Sequence, residues 1–141
     1  MDIKLKLLLA AVLIQFGLTL WALLATGRVR LKALKSTDLS IADIALSKTA
    51  YPEDVQKQQN NLQNQFETPI LFYIAVALIA ALGVVNWVMV GAAIAFVGLR
   101  FWHRRIHITH NHVIKRFNVF LYGLFALTIL WGALAVEVLL A

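Results

Sequence analysis

The sequence contains no cysteine, only two prolines and only seven acidic residues among 141. The missing cysteine excludes disulfides, thiolate metal sites and a protein thiol nucleophile. With so few carboxylates to balance Lys and Arg, the formal net charge is +6. Charged residues make up 14% of the chain against 61% hydrophobic, a ratio that one soluble core of this size cannot hide. The surplus apolar surface is therefore expected to face lipid. No phosphate loop, dinucleotide fingerprint or Ser-His-Asp arrangement occurs, so nucleotide-binding and hydrolase readings lack support.

Three uncharged stretches carry the apolar surface: Leu7 to Gly27, Thr68 to Leu99, and Phe117 to Val136. A spanning helix needs about 20 apolar residues, so the first and third stretches suit one crossing each and the middle one suits two. The turn inside the middle stretch is expected between Leu82 and Trp87, where Gly83 loosens a helix end, Asn86 tolerates a turn and Trp87 favours the membrane interface. The predicted fold is an all-α integral membrane four-helix bundle of left-handed up-down topology. It forms a single domain over residues 1–141, with helices at about 5–30, 52–82, 85–108 and 113–140. A signal peptide is the alternative for the first stretch, although Leu7 to Gly27 is long for one.

The placement of the cations decides between nucleic acid and topology. Arg28, Arg30, Lys32, Lys35, Lys48 and Lys57 fall in the loop 28–63, and Arg100, Arg104, Arg105, Lys115 and Arg116 fall in 100–116, leaving only Lys4 and Lys6 elsewhere. Four crossings put both loops on one face. The positive-inside rule makes that face cytoplasmic and both termini opposite, with no nucleic-acid partner implied.

The one substantial polar segment, Arg28 to Gln65, is too short and too poor in apolar residues for a second domain. Tyr51-Pro52-Glu53-Asp54 reads as a helix start, with carboxylates near the positive end of the dipole. From Pro52 to about Leu82 the pattern fits one helix of roughly 45 Å, longer than a hydrocarbon core of about 30 Å. Pro69 removes a backbone donor and frees the Gln65 carbonyl, which predicts a bend.

Glu67 opens an apolar run, where an unpaired carboxylate is costly. It reads either as a site residue served by a cation of the bundle or as an interfacial Glu that reaches water. Asn60, Asn64 and Glu67, at i, i+4 and i+7, would share one helix face. Arg100, His103, His107 and His110 advance by three, four and three, and so stack along one side of the third crossing as a polar wall. A metal site there is disfavoured: no HExxH, Cys or Asp accompanies these His, and membrane histidine-box di-iron enzymes use about eight. Haem is weaker still, because all four His lie within ten residues of one another. Arg104, Arg105 and Lys115 suit contact with membrane phospholipid. Arg116, just before the last crossing, could meet Glu67 or an anionic ligand with its planar donors.

Taken in order, these clusters resemble the family of membrane-associated proteins in eicosanoid and glutathione metabolism (MAPEG). Thr26-Gly27-Arg28-Val29-Arg30-Leu31, Asn64-Gln65-Phe66-Glu67 followed by Pro69-Ile70-Leu71-Phe72-Tyr73, and Arg100-x-x-His103 with Arg116 further on carry the likeness. The resemblance implies a homotrimer in a lipid membrane, with sites between subunits that take glutathione as co-substrate and a lipophilic small molecule, without metal. Asn64 and Glu67 would hold the polar backbone of glutathione, Arg30 and Arg100 would meet its carboxylates or support the pocket, and His107 would partly substitute as a donor. Arg116 would stabilise its thiolate as the catalytic group, with His103 in the same wall. The resemblance implies a transferase or peroxidase, or else a non-enzymatic lipid-binding or scaffold member. Two departures bear on that choice. Active members usually carry Arg where this chain has Asn60, and some carry a glutathione-binding Tyr where it has His107.

Overall fold

The computed structural model describes residues 1–36, 39–45, 47 and 49–140. Lys48 of the first basic loop lies outside them. Six helices follow in order: α1 (Ile3–Ser36), α2 (Ile41–Ile44), α3 (Glu53–Asn64), α4 (Thr68–Leu82), α5 (Trp87–Ile108) and α6 (Val113–Leu140).

Helix α1 is apolar nearly all round through Leu24, as befits a segment with lipid on several sides. It runs on to Ser36 rather than stopping near residue 30. Leu31, Lys32, Leu34 and Lys35 are good helix formers, and Ala33 is buried against Tyr51 and Val55 in a small satellite core that also fixes the start of α3. The short α2, unforeseen in the sequence, is made by a capping box: Ser40 Oγ accepts from Asp43 N at 3.2 Å, and Asp43 Oδ2 accepts from Ser40 N at 2.9 Å.

The single bent helix expected over 52–82 is two helices. Helix α3 ends at Asn64, Gln65 and Phe66 turn back on the Leu62 and Gln63 carbonyls, and α4 starts afresh at Thr68 with Pro69 in its first turn. Pro69 cannot donate to the preceding turn, and its ring disfavours helical continuation through the residues before it. The result is a full interruption rather than a bend. Helix α4 ends where Gly83 adopts φ +70°, a left-handed conformation natural to glycine. Asn86 then caps α5 by accepting from Met89 N at 3.0 Å, so the turn falls where the sequence placed it. At the far end of α5, Asn111 takes a positive φ of 47° and sends its N–H back to the Ile106 carbonyl at 2.8 Å.

Three helical spans, Ile3–Ser36, Glu53–Leu82 and Val113–Leu140, are long and apolar enough to cross a membrane. Helix α5 is less apolar because Arg100, His103, Arg104, Arg105 and His107 occupy its second half. Its 22 residues at ~1.5 Å each still reach through a hydrocarbon core of about 30 Å. The four long segments form a membrane helical bundle. Its common core is built from Leu8, Phe72, Ile79, Phe96 and Leu130, with the Phe72 and Phe96 rings stacked at 5.0 Å. At Gly123 helix α6 passes close to Leu99 of α5, whose Cβ lies at ordinary contact distance, 3.9 Å, from where a Gly123 Cβ would stand. Only 28–33% of the apolar part of each of the three spans Ile3–Ser36, Glu53–Leu82 and Val113–Leu140 is buried within the chain, so most of this surface is left outward.

Candidate functional site

Lipid-facing helices gain little from being brought together by hydrophobic burial, so polar contacts between them carry unusual weight. One set joins α3 to the bundle. Arg104 is only 1% exposed. It donates to Asn61 Oδ1 and, at 3.4 Å, to Gln58 Oε1, and its guanidinium stands 4.5 Å from the Trp21 ring centroid. Thr26 Oγ1 shares its one proton between the Ala22 carbonyl of its own helix at 2.8 Å and the Gln58 carbonyl at 3.2 Å, and Gln15 Nε2 donates to Gln65 Oε1 at 3.2 Å between fully buried side chains. Arg104, expected at phospholipid, is drawn inward: Asn61 and Gln58 supply acceptors inside the protein for its two terminal nitrogens, and what it still offers the outer surface is the back wall of a groove. Arg105 and Lys115 do remain exposed.

The second set surrounds the break between α3 and α4. Arg100, 3% exposed, donates from Nη2 to the Asn64 carbonyl at 2.6 Å and so takes up a backbone acceptor at the end of α3. Its Nε keeps no partner. On the same face of α5, His103 and His107 are buried edge to face with ring centroids 5.7 Å apart, and Phe120 lies 6.2 Å from His103. The Nδ1 atoms of both imidazoles are likewise buried and unpartnered. Arg116, half-buried at the start of α6, lies near enough to both imidazoles to act on them electrostatically, and Nη1 donates to Asn111 Oδ1 at 2.5 Å. Glu67 is exposed beside Arg100 and interacts with it through the field rather than by an ion pair.

Three unpartnered nitrogens thus gather on one flank of α5 within reach of a fourth group, Arg116. Buried polar atoms are almost always satisfied in a complete structure, so this set marks a place for water, a polar ligand or another chain. Within this chain the crevice between Thr68, Arg100, His103 and Phe120 leaves no room for a ligand, and the three nitrogens are closed off from the surface. A ligand approaching from the outer face, where Asn60 and Glu67 are exposed, would reach them only after side chains move aside.

Several expectations are revised by the geometry. Asn60, Asn64 and Glu67 do not share a helix face, because α3 ends at Asn64 and Glu67 lies in the interruption, immediately before α4. The Asn64 side chain is turned to its own helix, donating to the Asn60 carbonyl at 3.0 Å. His110 leaves the His103–His107 row because α5 stops at Ile108, placing it exposed in the turn. Arg116 takes Asn111 as partner, and among the described residues Glu67 has no ion pair. Arg30 stands apart from Arg100. It donates from Nε to Tyr51 Oη at 3.2 Å and lines a separate pocket of about 270 Å³ with Thr26, Gln59 and Phe66. Among the described residues no three of His, Cys, Asp and Glu come together as a metal site.

The sequence reading missed Gln15, Asn61 and Trp21. Gln15 had a usable signal, as the one amide side chain in the uncharged stretch Leu7 to Gly27. Asn61 was hidden among seven other Gln and Asn between positions 56 and 65.

The sequence profile of the MAPEG family matches residues 8–136, from the second turn of α1 almost to the end of α6. This chain belongs to the MAPEG family. No curated protein and no solved structure matches it. The MAPEG match spans all four long segments and contains both polar sets, so the family fold and the candidate site are carried by the same stretch of chain.

Proposed function

We propose that this protein is a membrane-bound, glutathione-dependent transferase or peroxidase acting on a lipophilic electrophile or hydroperoxide, in line with a family whose members include glutathione transferases and related enzymes. In this reading it works as a homotrimer, with the loops 28–63 and 100–116 on the cytoplasmic side and both termini opposite. The observation that carries the proposal is the gathering of Arg100, His103, His107 and Arg116 on one flank with three nitrogens unpartnered. A tripeptide carrying two carboxylates, amides and a thiol offers acceptors for the guanidinium groups and partners of either kind for the imidazole nitrogens. Arg30, remote from this group in its own protomer, is exposed at a different edge and would be contributed by a neighbouring subunit.

Arg116 is assigned to the sulfur. A cation within ~4–6 Å of an acid lowers its pKa by about 1–3 units, which raises the thiolate fraction of a thiol near neutral pH. In the transferase reaction the thiolate attacks the electrophilic carbon, a C–S bond forms, and the halide departs with its bonding electrons. With a hydroperoxide, sulfur attacks oxygen, the O–O bond breaks and the alcohol leaves; a second glutathione then displaces hydroxide from the sulfenic acid and forms the disulfide. Holding the thiol and the lipophilic partner together adds the advantage of proximity.

The test is conjugation of 1-chloro-2,4-dinitrobenzene by purified protein. Arg116→Ala is expected to lower kcat/KM about 10–100-fold near neutral pH, whereas Lys115→Ala, one residue away and exposed, leaves it unchanged. Equal rates for Arg116→Ala and the unaltered protein would remove Arg116 from the chemistry. Asn60 favours a second reading, a non-catalytic lipid-binding or scaffold member, because an exposed amide replaces a fixed cation for a dianionic ligand. Titration calorimetry separates the two: absence of heat and of thermal stabilisation at millimolar glutathione supports the non-catalytic one.

A further inference from the structure

The face of α5 opposite His103 and His107 carries a feature that the glutathione chemistry does not use. Ile94, Gly98, Phe101 and Arg105 follow one another at four, three and four residues and so form a single exposed stripe. Beside it on α1 runs a second stripe of Leu7, Ile14 and Trp21, at intervals of seven. Between the stripes lie two cavities. One, of about 390 Å³, is wholly apolar and lined by Leu7, Ala11, Ile14, Ile94 and Val97. The other, of about 550 Å³, is bounded by Trp21, Trp102, Arg104 and Arg105. Gly98 and Phe101 border both, so the two form one continuous groove.

The ends of this groove differ in chemistry. Its upper end holds two guanidinium groups and two indoles, and no carboxylate lines it among the described residues. Arg105 is exposed at the rim. Arg104 forms the buried back wall, with its Nε unpartnered while its other nitrogens are held by Asn61 and Gln58. Trp side chains favour the membrane interface, which sets this end at headgroup level and the apolar end within the acyl region. From Arg105 to Ile94 the groove descends about 17 Å at ~1.5 Å per residue, close to one leaflet's share of a hydrocarbon core of about 30 Å.

We infer that the α1–α5 groove is a binding site for one anionic phospholipid of the surrounding leaflet. Its phosphate meets Arg105 against the Arg104 wall, and one acyl chain lies along Gly98 and Phe101 towards Leu7 and Ile94. The length selects a lipid chain over a compact solute. The paired cations select a net-negative headgroup over a zwitterionic one, since a basic residue at an anionic leaflet strengthens binding about fivefold. This inference stands apart from the glutathione reading and is measured without turnover.

Gly98 supplies the test, because a Cβ placed there meets nothing within 4 Å. Gly98→Leu therefore fits the helix while its side chain fills the waist of the groove, and Gly98→Ala leaves the waist open. The protein is equilibrated in nanodiscs of equal palmitoyloleoyl phosphatidylglycerol and phosphatidylcholine, released into mild detergent, and weighed by native mass spectrometry. The unaltered protein and Gly98→Ala are expected to retain phosphatidylglycerol in preference to phosphatidylcholine. Gly98→Leu should lose the adduct about tenfold, and Arg105→Gln should lower the preference about fivefold. Ile94→Phe, narrowing the apolar end, provides a second plug should Gly98→Leu not fold. Equal retention of both lipids by the unaltered protein overturns the inference, as does full retention by the plugged variants. A plug that changes the oligomeric mass and leaves the adduct intact also overturns it, since the groove would then be covered by a second copy.

Discussion

The contact between Arg104 and Asn61 makes a sharp prediction about what holds α3 to the membrane bundle. Asn61 is fully buried and Arg104 nearly so, and the same guanidinium stands over Trp21. Removing Asn61 with Asn61→Leu leaves a buried cation short of its best acceptor. A hydrogen bond to a charged group is worth about 1.5–3 kcal/mol, so Asn61→Leu should destabilise by about 2–3 kcal/mol. Arg104→Met removes the charge together with its desolvation cost, and substituting a buried charge by an apolar group of similar length is often near neutral. Its cost is the lost stacking on Trp21, of order 1–2 kcal/mol, plus an Asn61 left without a partner. In the double variant neither orphan exists, so the sum of the single effects should exceed the measured double effect by about 1.5–2 kcal/mol. Neutral hydrogen bonds in membrane bundles average only about 0.6 kcal/mol in such cycles, so a value this large is specific to the charged contact. The assay is equilibrium unfolding in mixed micelles with increasing dodecyl sulfate, followed by tryptophan fluorescence, to which Trp21 contributes beside the guanidinium. Additivity within about 0.5 kcal/mol would refute the reasoning.

Three further outcomes are expected. Gly83→Val forces a branched side chain into φ +70° and should cost about 1–2 kcal/mol in the same unfolding assay, while Gly83→Asn should cost less. The Asp43 carboxyl is held below the usual carboxylate range by hydrogen bonds from the Ser40 hydroxyl and then the Ser40 backbone. A depressed carboxylate pKa contributes stability that is present above the unfolded value and lost as pH falls through the folded one. Amide exchange in α2 should therefore be insensitive to protonation of Asp43 from pH 5 to 8 and accelerate only below about pH 4. Asn60→Arg places a fixed cation on the exposed face of α3 and should tighten glutathione binding several-fold by calorimetry, with an unchanged affinity arguing that this face does not meet the ligand.

The crossings were legible because they rest on composition: apolar runs of sufficient length, and the Gly83 and Asn86 signals that end one helix and cap the next. The interruption at Gln65–Glu67 was half legible. Pro69 announced a disturbance, but whether it produced a bend or a break depended on Arg100, 36 residues away, supplying a donor to the Asn64 carbonyl. Sequence spacing treats helices as ideal cylinders. For that reason it kept Glu67 on one face with Asn60 and kept His110 in the row that ends at His107. Arg104 and Asn61 were illegible singly, because each looks like a solvated polar residue until the other is opposite. Where residues from one helix make the site, as with Arg100, His103 and His107, periodicity placed them together; where separate helices contribute, only the fold does.

Helix α3 is tied to α1 and α5 largely through amides, a hydroxyl and a guanidinium. Most residues that face outward from the four crossings need only be greasy. Interchange of Leu, Ile, Val and Phe on those lipid-facing surfaces should leave the architecture untouched, whereas Gln15, Thr26, Asn61, Arg100 and Arg104 admit few replacements. A mutational library of this chain would show a broad permissive exterior around a small intolerant polar skeleton, the reverse of a water-soluble domain, whose apolar interior resists change and whose polar rim accepts it.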